Sequence, residues 1–173
     1  MYPLWINVVG FQAGWWACIL GAAGALEIPS IAFAFALVIA HLRWSATRRA
    51  DLQLAAISLL IGIAVDTLLQ YFSAITFYGW ALGPLSPFWL WALWVLFSLT
   101  LNASLAFLKN LHWGVSALAG LVFGPLTYHA GVQLGAALMQ TWTTSMLCIA
   151  LAWMVVLPLM VYLAQKKISH NTR

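Results

Sequence analysis

Charge is almost missing from this chain. Of its 173 residues, seven are lysine or arginine and three are aspartate or glutamate, so charged residues amount to 6%. A water-soluble domain is about half apolar and roughly a quarter charged, whereas here 65% of residues are hydrophobic. So few charges cannot clothe a soluble surface. No basic patch with interleaved aromatics exists, which excludes a nucleic-acid-binding face. Cysteine is also scarce. Cys18 and Cys148 each sit inside an apolar run and read as small buried hydrophobes, because two isolated cysteines supply neither a disulfide framework nor a thiolate metal site. The metalloprotease HExxH, the phosphate loop, the dinucleotide fingerprint and the serine-hydrolase elbow are all absent. The expectation is therefore no metal and no cofactor.

What is present is long apolar runs. A membrane-spanning helix needs about 20 mostly apolar residues to cross a hydrocarbon core of about 30 Å. Six runs approach this: residues 4–26, 29–44, 52–71, 88–108, 111–132 and 142–164. The first lacks a basic flank and a cleavage motif, so it reads as a retained span. The second is short. Residues 72–87 and 133–141 carry no charge and read as connections. The expected fold is all-α, a compact polytopic bundle of six transmembrane helices forming a single domain over residues 1–173.

The scarce basic residues orient this bundle. With six spans, Arg43, Arg48, Arg49, Lys109, Lys166, Lys167 and Arg173 all fall on one side, and the opposite connections hold no lysine or arginine. Basic loops stay cytoplasmic, so both termini are expected in the cytoplasm, with the protein in the cell inner membrane if the host is bacterial. Trp5, Trp44, Trp89, Trp91, Trp113 and Trp142 lie near predicted helix ends and fit interfacial aromatic belts. Trp15, Trp16, Trp94 and Trp153 lie deeper, where packing or lipid contact competes with an aromatic ligand pocket. The pairs Gly10/Gly14, Gly120/Gly124 and Gly131/Gly135 have the spacing of close helix contacts. Pro125 inside the fifth span predicts a kink.

Polar residues within the spans are the functional candidates. Asp66 stands in LLIGIAVDTLLQYF, roughly 22 Å along a helix from Asp51. A bare carboxylate at that depth is costly, so it must face the bundle and find a partner or a proton. His129 lies at a comparable depth. Gln70 is one turn beyond Asp66, Gln133 one turn beyond His129, and Tyr128 and Glu27 are on the same side. Together they are candidates for an outward-facing polar pocket capable of proton exchange. A second polar cluster, Asn7, Gln12, His41 and Asn102, occupies the cytoplasmic half, where interhelical hydrogen bonds or lipid headgroup contacts are its roles.

The stretches FQAGWWACILGAA, LIGIAVDTLLQ, PLSPFWLWALWVLFSLTLNASLAFL and GPLTYHAGVQLGA resemble an uncharacterised family of small bacterial inner-membrane proteins, a domain of unknown function. The resemblance covers most of the chain and implies no known chemistry. The positions it matches to the family's polar residues are Gln12, Asp66, Asn102, Pro125 and Tyr128. Three functions stay open at this point: binding or transport of a small or lipid-like solute, an enzyme acting on a lipid or apolar substrate, and a non-catalytic scaffold docking a membrane-protein partner or a second copy. Membrane lipids are the expected surroundings in each case.

Overall fold

The computed structural model describes the backbone of residues 4–169 and side chains through Lys166. Arg173 and the side chain of Lys167, both used in the charge argument, lie outside that description. The order is α1 (Leu4–Ala23), α2 (Glu27–Trp44), α3 (Arg48–Tyr71), β1 (Thr76–Phe77), α4 (Phe88–Thr100), a 3-10 turn (Ala106–Asn110), α5 (Trp113–Gln133), β2 (Ala137–Leu138) and α6 (Trp142–Ser169). The protein is all-α in architecture. Among the described residues, five of the six α-helices are long and apolar enough to cross a membrane, and α4 is a shorter apolar helix. Large apolar side chains such as Leu60, Phe123 and Val155 are more than 60% exposed. An apolar exterior of this extent needs lipid, not water, around it. This is a multi-pass membrane protein.

Three boundaries differ from the hydropathy reading. α2 begins at Glu27, not residue 29, because Pro29 fits the first turn, where no helical donor is lost. α3 begins at Arg48, not residue 52, so most of the charged stretch Arg43–Asp51 is helix. α4 stops at Thr100, not residue 108. Its last turn carries Ser98 and Thr100, whose hydroxyls donate to the carbonyls of Val95 and Phe97. Such back-bonding competes with the helical ladder. Leu101, Ala103 and Ala106 then donate three residues back, a tighter winding than α.

α1, α3 and α5 finish alike. Leu26 donates to Gly21, Ala74 to Leu69 and Ala136 to Gly131, each closing a six-residue Schellman loop over a residue of positive φ: Ala25, Ser73 and Gly135. Gly135 therefore terminates α5 and is not the second half of a helix-packing pair with Gly131. Two of these caps launch the short strands, which pair antiparallel with Thr76 opposite Leu138 and Phe77 opposite Ala137. Both connections read as structureless in sequence. Two-residue strands are too short to show an alternating pattern.

The bundle thus has two unlike ends. One is capped by the strand ladder. At the other, Asn7 of α1, His41 of α2, Asp51 of α3, Asn102 and Ser104 after α4, and Gln165 of α6 with Lys109 of the 3-10 turn are joined by hydrogen bonds. Arg43, Arg48, Arg49 and Lys109 lie at this second, basic end, in the last turn of α2, the first turn of α3 and the 3-10 turn.

Helix contacts are uneven. α3 packs on α4, α1 and α2 pack on each other and on α4, and α5 packs overwhelmingly on α6. Gly120 and Gly124 make the α5–α6 contact close: a Cβ built on Gly120 would fall 2.1 Å from the backbone oxygen of Trp153, and one on Gly124 2.4 Å from its side chain. α6 in turn packs on α3. α5 therefore stands off from α1 and α4, and a gap remains between them.

Candidate functional site

That gap is a cleft of about 630 Å³. Its walls come from three helical stripes: Phe11, Trp15 and Ile19 of α1; Trp89, Leu93 and Phe97 of α4; Phe123, Thr127 and Tyr128 of α5. The first two sets repeat every fourth residue, the spacing of one helix face, and in α5 Thr127 follows Phe123 by four with Tyr128 beside it. Trp153 of α6 forms the back, its ring stacked on Trp94 at 5.1 Å between centroids. Phe77 and Ala137 of the strand ladder line the capped end, and Leu105 and Leu108 line the basic end. Phe123, Leu126 and Phe107 line the cleft and are more than half exposed, so its mouth opens sideways, toward lipid. The volume lies within the range of small-molecule sites, about 300–1,000 Å³.

A buried carboxylate stands behind this wall. Asp66 has no exposed surface. Its two oxygens accept from the Tyr128 hydroxyl at 2.5 Å and from the Trp94 indole N–H at 2.7 Å. Both donors line the cleft. The local sequence of α3 makes the approach possible. Ser58, Gly62 and Asp66 recur every fourth residue on one face, all buried. Ser58 donates to the carbonyl of Trp94 at 2.9 Å. Gly62 supplies the space for the indole, since a Cβ there would sit 2.1 Å from the Trp94 ring. Two neutral donors are what a carboxyl far from water can recruit without a second buried charge.

The proposed outward pocket is distributed otherwise. Of its six residues, the structure joins Asp66 and Tyr128. His129 stacks edge-on against Trp142 at 6.2 Å, with Nδ1 buried and unbonded. Gln70 accepts from the amide of Phe77 at 3.1 Å. Glu27, at the positive N-terminus of α2, accepts from the amide of Trp80 at 2.9 and 3.1 Å. Both side chains pin the 72–87 connection onto the bundle. Gln133 is exposed.

The second cluster is a continuous network around a residue sequence reasoning passed over. Asp51, 1% exposed, accepts from His41 Nε2 at 3.3 Å, from Asn102 Nδ2 at 2.7 Å, from Thr47 at 3.3 Å and from Ser45. Asn7 Nδ2 lies 3.4 Å from His41 Nδ1, and Asn7 Oδ1 accepts from the amide and hydroxyl of Ser104 at 3.3 and 2.6 Å. Asn102 Oδ1 accepts from Lys109 Nζ at 2.5 Å. Asn7, His41 and Asn102 are thus brought together, while Gln12 lies apart, exposed at the cleft. Burial pushes the Lys109 ammonium below the usual lysine range, and the Asp51 carboxylate partly restores it. Asp51 was hidden by its place among arginines. A signal existed nonetheless: it falls in phase with the buried stripe of Leu54, Ala55, Ser58, Gly62 and Asp66. His41 and Asp51 are in contact at 3.3 Å, and among the described residues no three His, Cys, Asp or Glu gather.

A family model described as a protein of unknown function (DUF2878) matches residues 4–159. No curated protein and no solved structure matches the chain.

Proposed function

Taking as premise that this chain belongs to the DUF2878 family, whose function is unknown, we propose from its own geometry that it binds the hydrocarbon chain of a membrane lipid in the α1–α4–α5 cleft. One observation carries the reading: a cleft of about 630 Å³ walled by aromatic side chains and open on a lipid-facing side. A lipid tail gains no hydrophobic free energy by moving from bilayer to protein, so affinity there must come from packing and shape. Rigid aromatic walls provide that. Binding is supported over acid–base catalysis because the lining hydroxyls and the Trp94 indole already spend their protons within the protein. Tyr128 and Trp94 donate to Asp66, and Thr127 donates to the carbonyl of Phe123.

Filling the cleft tests this. Ala119→Phe and Ala130→Phe place rings at half-buried lining positions. Native mass spectrometry of wild type purified in mild detergent is expected to show one retained lipid, lost in both variants. Equal retention in all three proteins rejects the reading.

We place the protein in the cell inner membrane with the basic end in the cytoplasm, a reading supported by the absence of lysine and arginine from the connections at the capped end. A single cysteine at position 48 is expected to resist an impermeant maleimide added to intact cells, and ready labelling reverses the orientation.

A further inference from the structure

One polar group in the lipid-facing cleft has nothing to bond to. Gln12 lines the cleft from α1 and is exposed there. The Thr127 hydroxyl donates to Phe123 and the Tyr128 hydroxyl to Asp66. The Gln12 amide, by contrast, has no hydrogen-bond partner among the described residues. The amides of Gln53, Gln133, Gln140 and Asn110 are unbonded too, but they lie near helix ends or in connections, where water and headgroups reach. Gln12 is the ninth of the twenty residues of α1, close to the middle of that span. A helix of this length just crosses a hydrocarbon core of about 30 Å. An amide at that depth gives up its hydrogen bonds to water and receives none from hydrocarbon. The group that satisfies it must enter the cleft from outside the protein.

The surroundings narrow the chemistry of that group. Phe11, next to Gln12, packs on Phe97 at 6.2 Å between centroids, and Phe97 packs on Trp153 at 5.5 Å. No charged residue lines the cleft. The partner of Gln12 must therefore be neutral, and the amide N–H asks for an acceptor. Among membrane lipids, the acyl ester carbonyl is the neutral acceptor joined directly to hydrocarbon. Toward the basic end the lining finishes with Phe107 and Leu108, and Lys109 follows at once. There Arg43, Arg48, Arg49 and Lys109 outweigh Asp51, so the charge at that end suits an anion. Asn7, which marks the basic end on α1, is five residues from Gln12, about 7.5 Å of helix. The glycerol backbone between an ester and a phosphate, with the reach of the glutamine side chain, covers that distance.

We propose that the cleft takes a diacyl glycerophospholipid with an ester carbonyl on the Gln12 amide, its phosphate toward Lys109 at the basic end, and an acyl chain along the aromatic wall toward Phe77 and Ala137. The assignment rests on lipid binding in the cleft and adds to it the linkage recognised and the direction of the bound molecule.

Native mass spectrometry of the full chain in mild detergent, with added dioleoylphosphatidylglycerol, tests it against two relatives of that lipid. The dioleyl ether with the same headgroup keeps the tails and the phosphate and lacks the carbonyls. Dioleoylglycerol keeps the esters and lacks the phosphate. Wild type is expected to favour the diester about fivefold over the diether, the equivalent of one hydrogen bond, and to favour it over dioleoylglycerol as well. Gln12→Leu should bind diester and diether alike, and the wild-type comparison decides even without that variant. Equal binding of diester and diether by wild type overturns the ester contact and leaves tail binding standing. A Gln12→Leu protein that keeps the fivefold preference overturns it too. Dioleoylglycerol bound as well as the phospholipid overturns the direction. If none of the three lipids binds, tail binding itself fails and the proposal falls with it.

Discussion

Asp51 and Asp66 lie on the same face of the same helix, both buried, yet they are satisfied in opposite ways. Asp51 gathers hydroxyls, an amide and an imidazole, with an ammonium one residue further off. Asp66 has two neutral aromatic donors. The two are 15 positions apart, about 22 Å of helix. One is at the end of the bundle, where charged partners can still reach water and headgroups. The other is deep in the span, where each added charge would carry its own desolvation cost. The depth of a carboxylate in this bundle thus dictates the kind of partner it can have. The partners also differ in what they connect: Asp51 ties helix ends together, and Asp66 fastens the wall of the cleft.

The comparison breaks most completely at Gly62, which serves Asp66 alone. Gly62→Leu drives a side chain into the space of the Trp94 indole. Trp94 then cannot lie on α3, Asp66 loses a donor, and the Trp94–Trp153 stack separates. Overpacking costs about 1–3 kcal/mol and a buried unsatisfied group about as much again. We expect little monodisperse protein by size exclusion. A variant as heat-stable as wild type would show that the Asp66 contacts are dispensable to the fold.

Exchanging each carboxylate for its amide sharpens the contrast. Asp66→Asn must turn its oxygen to the Trp94 indole, which can only donate, and its NH₂ to the Tyr128 hydroxyl, which can accept but whose buried proton then loses the acceptor it has in Asp66. The expected cost is about 1–3 kcal/mol, read as a fall in thermal midpoint. Asp51→Asn is expected to be milder. Ser45 and Thr47 hydroxyls can rotate to accept, so its loss is mainly the charge opposite Lys109. If Asp51→Asn proves the more damaging of the two, partner type does not follow depth.

Much of this is legible in the amino-acid sequence. Hydropathy yields six helices in order, because each apolar run is interrupted by charge, proline or glycine. The lone acid in LLIGIAVDTLLQYF marks Asp66 at once. Depth along a helix, however, says nothing of direction around it. Tyr128 and His129 have nearly equal depth, but consecutive residues point roughly 100° apart, and the one facing Asp66 is Tyr128. The end of α4 was invisible for a related reason. LTLNASLAFL is apolar enough to continue a span, and what unwinds it is the set of partners that Asn102 and Ser104 find on other helices. The cleft itself has no sequence signature. It results from α5 packing on α6 and not on α1, a choice made by Gly120 and Gly124 against Trp153.

The smallest expected effect concerns Lys109, whose half-buried ammonium belongs to the Asp51 end, outside the five spanning helices. Burial holds its folded pKa below the unfolded value of 10.5. Between the two values the unfolded chain binds the proton and the folded protein does not. Stability must therefore rise with pH through that alkaline window, and below it the charged amine imposes a constant penalty. Partial exposure to water keeps the slope shallow. Lys109→Gln should flatten it, read as thermal midpoints from about pH 8 to about pH 10. Asp51→Asn should do the reverse. Without the carboxylate that partly restores the ammonium, the folded pKa falls further and the rise starts at lower pH. Asp66→Asn should leave the slope where it was, since the deep carboxylate shares no charge with this end of the bundle. A slope that moves equally in both aspartate variants would mean that the two sites are one electrostatic unit, and the contrast between them would be lost.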